Sequence, residues 1–200
     1  MKLSLGSLSV RHAVSVLSLV SLYACGQPES QEALDESLPA PLAVVPEDGE
    51  RTAQAVTATQ LAQFRAELLT AVNSARKVAR TCGTTSYPAV PPLTVNTQLN
   101  TAAQGHAANM AAKNFFSHTG LDGKSPFDRM TAAGYKYSYA GENIAAGNAT
   151  VAATMTQWLN SPGHCANIMS KNFTQIGFGY DNSSTSTYKH YWVQNFGKPL

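Results

Sequence analysis

Trp158-Leu159-Asn160-Ser161-Pro162-Gly163-His164-Cys165-Ala166-Asn167-Ile168-Met169 is the stretch from which the rest of the chain is best read. Trp158 and Leu159 end an apolar-periodic run, and Asn160 and Ser161 break it. Ser161 followed by Pro162 reads as a helix start, with serine at the N-cap and proline at the first helical position. His164 then falls in the first turn, where the positive end of the helix dipole disfavours an imidazolium. A neutral imidazole can accept a proton or bind a metal. Cys165 beside it needs a partner. Taken alone, the stretch fits equally a capped helix whose His and Cys are only packed.

Upstream, Val151, Met155, Trp158 and Leu159 form the inner face of a helix that delivers the chain to His164. Before it, Ala140-Gly141-Glu142-Asn143-Ile144-Ala145-Ala146-Gly147 holds the only acid between Asp128 and Asp181. A carboxylate among apolar and small neighbours is costly unless paired or metal-bound. Glu142 therefore reads as a site residue rather than an exposed loop glutamate. Further back, Phe115-Phe116-Ser117-His118-Thr119-Gly120 closes a helix, and His118 emerges in a loop held by two aromatics. That helix starts at Asn96 and carries Leu99, Ala102, Ala103, His106 and Met110 on one stripe, so His106 reads as packed. Ser125-Pro126-Phe127-Asp128 opens a further helix that stops at Gly134.

Thr59 to Arg80 reads as a first helix, with Leu61, Phe64, Leu68, Val72 and Ala75 on one face and a Thr57/Gln60 capping box. Gly83, Pro88, Pro91 and Pro92 then force a loop. Tyr135 to Tyr139 is partly extended. At the other end, Phe173 to Tyr180 alternates through Ile176, Phe178 and Tyr180. A polar loop, Asp181 to Thr187, precedes a return run from Tyr188 to Phe196. This is an antiparallel hairpin. Helices first and strands last imply an α+β fold, a helical layer on an antiparallel sheet.

Residues 1–25 read as an export signal. Lys2 and Arg11 precede an apolar run, Ala13 to Leu22, of about ten residues, short of the ~20 a spanning helix needs. It ends Leu22-Tyr23-Ala24-Cys25-Gly26, which resembles a lipobox, with Tyr23 bulkier than usual. Lipidated Cys25 would hold the protein at a membrane surface; an ordinary signal peptide is the alternative. Residues 26–58 carry seven acids against Arg51 alone, with Pro28, Pro39, Pro41 and Pro46. Such a segment reads as an extended linker or a propeptide. Residues 59–200 form one domain's worth of chain with eleven Lys and Arg against five acids. The overall charge of +2 thus hides a basic domain on an acidic tether. No Lys/Arg cluster points to nucleic acid. Of the three cysteines, lipidation of Cys25 leaves Cys82 and Cys165 to pair in an oxidising compartment, with two buried thiols as the alternative.

Phe116-Ser117-His118-Thr119, Gly141-Glu142-Asn143-Ile144, Trp158 with Ser161-Pro162-Gly163-His164, Ile176-Gly177-Phe178-Gly179 and Tyr191-Trp192-Val193-Gln194-Asn195-Phe196-Gly197 occur in order. Together they resemble the CAP superfamily, the cysteine-rich secretory protein, antigen 5 and pathogenesis-related group, in its bacterial secreted branch. The resemblance implies an α-β-α sandwich with a small antiparallel sheet between helical layers. It also implies a shallow cavity lined by two His and two acids: by position His118, Glu142 and His164, with Ser161 where the second acid stands, and Asn143 beside them. Two imidazoles and a carboxylate suit zinc or another divalent cation. A binding role, toward a lipid, glycan or protein ligand of the envelope, is favoured over a zinc-dependent hydrolase because Ser161 is too weak a base to replace a carboxylate.

Overall fold

In a computed structural model, residues 56–200 are described. The signal segment, Cys25 and most of the acidic stretch lie outside them. The described elements are α1 (Ala58–Arg76), β1 (Arg80–Cys82), β2 (Thr85–Tyr87), β3 (Thr94–Val95), α2 (Thr97–Lys113), α3 (Pro126–Ala132), β4 (Tyr137–Ala146), α4 (Val151–Asn160), α5 (Pro162–Met169), β5 (Gln175–Asn182) and β6 (His190–Pro199). The fold is α+β. Strand order in the main sheet is β3-β5-β6-β4, and β1 and β2 form a small separate hairpin.

The two long pairings, β4 with β6 and β5 with β6, are antiparallel; the β5–β6 hairpin is as expected, whereas β4 runs past Tyr139 through Glu142 to Ala146, a stretch not read as strand. The region read as loop needs two corrections. β3 adds a parallel edge to β5, Thr94 opposite Gln175, so the sheet is mixed. Arg80 leaves the first helix, which stops at Arg76, and with Cys82 pairs with Tyr87 and Thr85 across Gly83 at φ +62. Prolines 88, 91 and 92 exclude a helix there but leave short strands on either side.

Local chemistry sets the helix starts. Thr57 and Gln60 make the capping box of α1, Asn96 caps α2, and Ser125 with Asp128 makes the capping box of α3. Ser161 has the extended N-cap backbone expected before Pro162, but its side chain caps nothing.

The sheet is buried on both faces. Ile176, Phe178, Tyr180, Trp192 and Phe196 join Val72, Met155, Trp158 and Ile168 in one cluster, from the side of α1, α4 and α5. Tyr191, Val193 and Ile144 meet Ala103, Ala107 and Met110 of α2 in a second. Strand alternation thus feeds two cores from one sheet. Gly177 and Gly179 let α2 lie directly on β5: a Cβ at Gly177 would stand 2.2 Å from the Leu99 carbonyl carbon, and one at Gly179 2.3 Å from that of Ala103. Behind the other layer, Arg76 is only 1% exposed and donates to the carbonyls of Pro91 (2.8 Å), Ile168 (2.6 Å) and Ser170 (2.9 Å). Burial pushes its pKa down to about 10. Cys82 and Cys165 are disulfide-bonded, Cα atoms 5.5 Å apart, and join the β1–β2 hairpin to α5.

Candidate functional site

Glu142 lies on β4 opposite Asn195 of β6, and its side chain is 2% exposed. Oε1 accepts from His118 Nδ1 at 2.8 Å, and Oε2 from Arg129 Nη2 at 2.9 Å. Asn195, with its amide nitrogen turned to Glu142, donates to Oε2 at 3.1 Å and accepts from the Ala103 N–H at 3.1 Å. A buried carboxylate is tolerated when its charge is paired and its lone pairs are filled, and here both conditions hold.

Arg129 does more than neutralise Glu142. Its guanidinium also donates to the carbonyls of His118 (2.9 Å) and Lys124 (3.0 Å), fastening the loop after α2 to α3 and β4. His106 supports the same loop, Nε2 donating to the Ser117 carbonyl at 2.8 Å. Because a carbonyl only accepts, Nε2 carries the proton. Burial holds the His106 pKa below its ordinary value, with Glu142 pulling partly the other way. His106 is packed, at 1% exposure, as its place on the α2 stripe predicts. Both residues line a second cavity, of about 340 Å³, between α2 and α3.

The His118 side chain is half exposed. With Nδ1–H given to the carboxylate, Nε2 is the bare nitrogen of the neutral ring. His164 comes from the first turn of α5. Asn143 Nδ2 donates to the His164 carbonyl (3.1 Å) and to Gln194 Oε1 (3.2 Å), and Asn167 Nδ2 donates to Asn143 Oδ1 (2.8 Å). This amide chain pins α5 to the sheet. The Trp158 Nε1–H on the Ile144 carbonyl, at 3.1 Å, does the same for α4. Burial, and secondly the nearby His118, lower the His164 pKa, so this ring favours the neutral form. Its Nδ1 is buried without a hydrogen-bond partner.

His118 and His164 line one shallow groove of about 360 Å³, with Phe116, Ser117, Ile144 and Gln157 between them. Glu142 touches His118 and stands beneath. Asn143, expected at the cavity wall, is instead fully buried behind it. Ser161, the other residue expected there, stands at the α4–α5 junction outside the groove lining. Among the described residues, no three His, Cys, Asp or Glu side chains gather closely enough to hold a metal ion. Arg129 and Asn195 escaped the sequence reading as site residues. Asn195 sits in a quoted motif and could have been found from strand pairing with Glu142. No spacing rule ties Arg129, on a short helix, to a strand residue.

The CAP family model, described as the cysteine-rich secretory protein family, matches residues 69–196. Uncharacterized protein YkwD of Bacillus subtilis (strain 168) is 40% identical over 105 residues, 52% of this chain and 39% of its own length. Uncharacterized membrane protein YlbC of the same organism is 34% identical over 96 residues, 48% of this chain and 26% of its own. The chain thus spans well under half the length of these curated relatives. An extracellular protein containing a SCP domain from Bacillus anthracis str. Ames superposes with a TM-score of 0.57 at 27% identity, over 70% of this chain and 41% of its own. An outer surface protein from Borrelia burgdorferi shares the fold, with a TM-score of 0.51 at 22% identity, over 56% of this chain and 80% of its own.

Proposed function

Because this chain belongs to the cysteine-rich secretory protein (CAP) family, we propose that it is an exported binding module that takes an envelope or extracellular ligand in the His118/His164 groove. One observation carries the reading. Glu142 is buried and has both oxygens engaged, so its task is to orient His118 toward the groove and not to react. The similar structures are, by their descriptions, an extracellular and an outer surface protein, which supports export. None of the described helices is long and apolar enough to cross a membrane. Attachment through lipidated Cys25 completes the proposal.

A divalent cation fits this groove in part. His118 offers a bare Nε2 with a carboxylate behind its other nitrogen, the arrangement that raises imidazole basicity toward metals. His164 offers a neutral ring whose Nδ1 has no partner. Glu142 fits as the residue that holds His118 rather than as a direct donor, because the Arg129 guanidinium occupies its second oxygen. Bound zinc would polarise a ligand oxygen or water. That chemistry sustains the alternative, a zinc-dependent hydrolase. Binding is the better reading because hydrolysis also needs a general base, and Ser161 does not supply one.

Zinc titration by calorimetry on residues 56–200, beside a His118→Ala/His164→Ala double mutant, tests the site. Saturable one-to-one binding that the mutant loses would add a cation to the groove. Heat exchange identical in both proteins would remove the metal. Turnover of an envelope polymer that stops with a chelator would replace the binding reading with the hydrolase.

A further inference from the structure

Phe116 on the groove wall is 41% exposed, and Tyr188 beside it is 46% exposed. Their ring centroids lie 5.6 Å apart at an interplanar angle of 58°, forming an open aromatic corner. Single exposed apolar side chains are ordinary on a protein surface. This pair is distinguished by its backbone. Among the described residues, the non-glycine positions with positive φ are Asn114 (φ 50) and Lys189 (φ 63). Asn114 precedes Phe116 by two residues, and Lys189 directly follows Tyr188. Asn114 is the left-handed cap that ends α2, an ordinary place for Asn; Lys189 has no side-chain compensation for that region. Backbone strain such as that at Lys189 persists where the surroundings over-determine it, and it clusters at ligand clamps.

The surroundings do over-determine it. Asn114 Oδ1 accepts from the Thr187 N–H at 2.7 Å, tying the β5–β6 loop to the end of α2. The His190 N–H bonds the Tyr188 carbonyl at 2.7 Å, closing a tight three-residue turn around Lys189. Tyr191, fully buried, supports the Tyr188 ring edge-on from below at 6.2 Å. Two segments distant in sequence are thus locked so that two aromatic faces meet beside the groove.

The neighbours identify the chemistry. The remaining groove residues are Ser117, His118, Ile144, Gln157 and His164, with no carboxylate and no ammonium among them. Gln157 Oε1 accepts from Asn148 Nδ2 at 2.6 Å, which leaves the Gln157 amide N–H groups for a ligand. Two rings make too small an apolar face for an acyl chain, and a groove without lysine or arginine does not select an anion. A ligand with an apolar face and a hydroxylated rim matches both parts. We infer that the groove is a subsite for a neutral oligosaccharide, one sugar ring laying its C–H face against Phe116 and Tyr188 while its hydroxyls meet Ser117, Gln157 and the imidazoles. The inference rests on the groove reading proposed above and names its ligand class.

The test titrates the full chain with chitotetraose and with cellotetraose, by calorimetry and saturation-transfer NMR, and with zinc in parallel. At least one sugar binds the wild type, with transfer to its ring C–H protons. Phe116→Ala and Tyr188→Ala each weaken it at least ten-fold while the melting temperature, read as a folding control, stays near wild type. Lys189→Gly, which accepts the left-handed turn, retains binding. Failure of both sugars overturns the oligosaccharide, with or without zinc binding, and leaves the groove reading, which needs no metal, standing. Sugar binding unchanged in both aromatic variants likewise overturns it.

Discussion

At the scale of single residues, the ion pair under the groove is the most sensitive to substitution. Replacing Glu142 by Gln leaves the Arg129 guanidinium without its carboxylate and weakens the hold on His118. The expected loss is about 3–5 kcal/mol in denaturant unfolding, as when one partner of a buried pair is removed. An Arg129→Met/Glu142→Gln double mutant recovers part of it. His106 supplies a pH signature. Its folded pKa is depressed by burial below the ordinary 6.5, so the unfolded chain binds the proton first. The stability tied to this residue is present above about pH 6.5 and is lost as pH falls toward the folded value. Thermal melts from pH 7.5 to 5 should fall, and His106→Gln should flatten the fall. His118, Glu142 and His164 were legible because short motifs surround each. Their supports were not: Arg129, Asn195 and the carbonyl cradle of Arg76 are contacts across elements, which no local period encodes.

At the scale of elements, what the sequence shows best is where helices begin, because a cap is a local transaction between neighbours. Thr57, Asn96 and Ser125 were all readable for that reason. Strands of two or three residues were not. β1, β2 and β3 are too short for alternation to emerge, and pairing with distant partners makes them. Gly177 and Gly179 occupy two positions where the packing of α2 on β5 tolerates nothing larger. An alanine at either meets the backbone of α2, which cannot swing aside as a side chain would. Gly177→Ala is expected to destabilise by about 3 kcal/mol or more, at the upper end of overpacking effects. Chemical denaturation of the variant checks it. A midpoint equal to wild type would mean that α2 lifts from the sheet without cost.

At the scale of the whole molecule, the disulfide between Cys82 and Cys165 closes a covalent loop across a separation of 83 residues. Removing it as Cys82→Ala/Cys165→Ala should cost about 2–5 kcal/mol. Thermal melts with and without reductant should show the same difference in the wild type. On the lipoprotein reading proposed above, Cys25→Ser moves the protein from the detergent-rich to the aqueous phase on Triton X-114 partition. Retention in the detergent phase would end that reading.

Finally, the strand order β3-β5-β6-β4 puts β6, the last described element, in the middle of the sheet. β4 and β5 both pair with it and not with each other. During synthesis, neither has its main neighbour until residues 190–199 have been made. Helices can form early, but the two cores have no floor before then. Assembly is therefore late and dominated by contacts distant along the chain, which makes it slow. Until β6 is made, a chain carrying the earlier elements has nothing to close either core, and it becomes a barrier to threading only once that strand is in place.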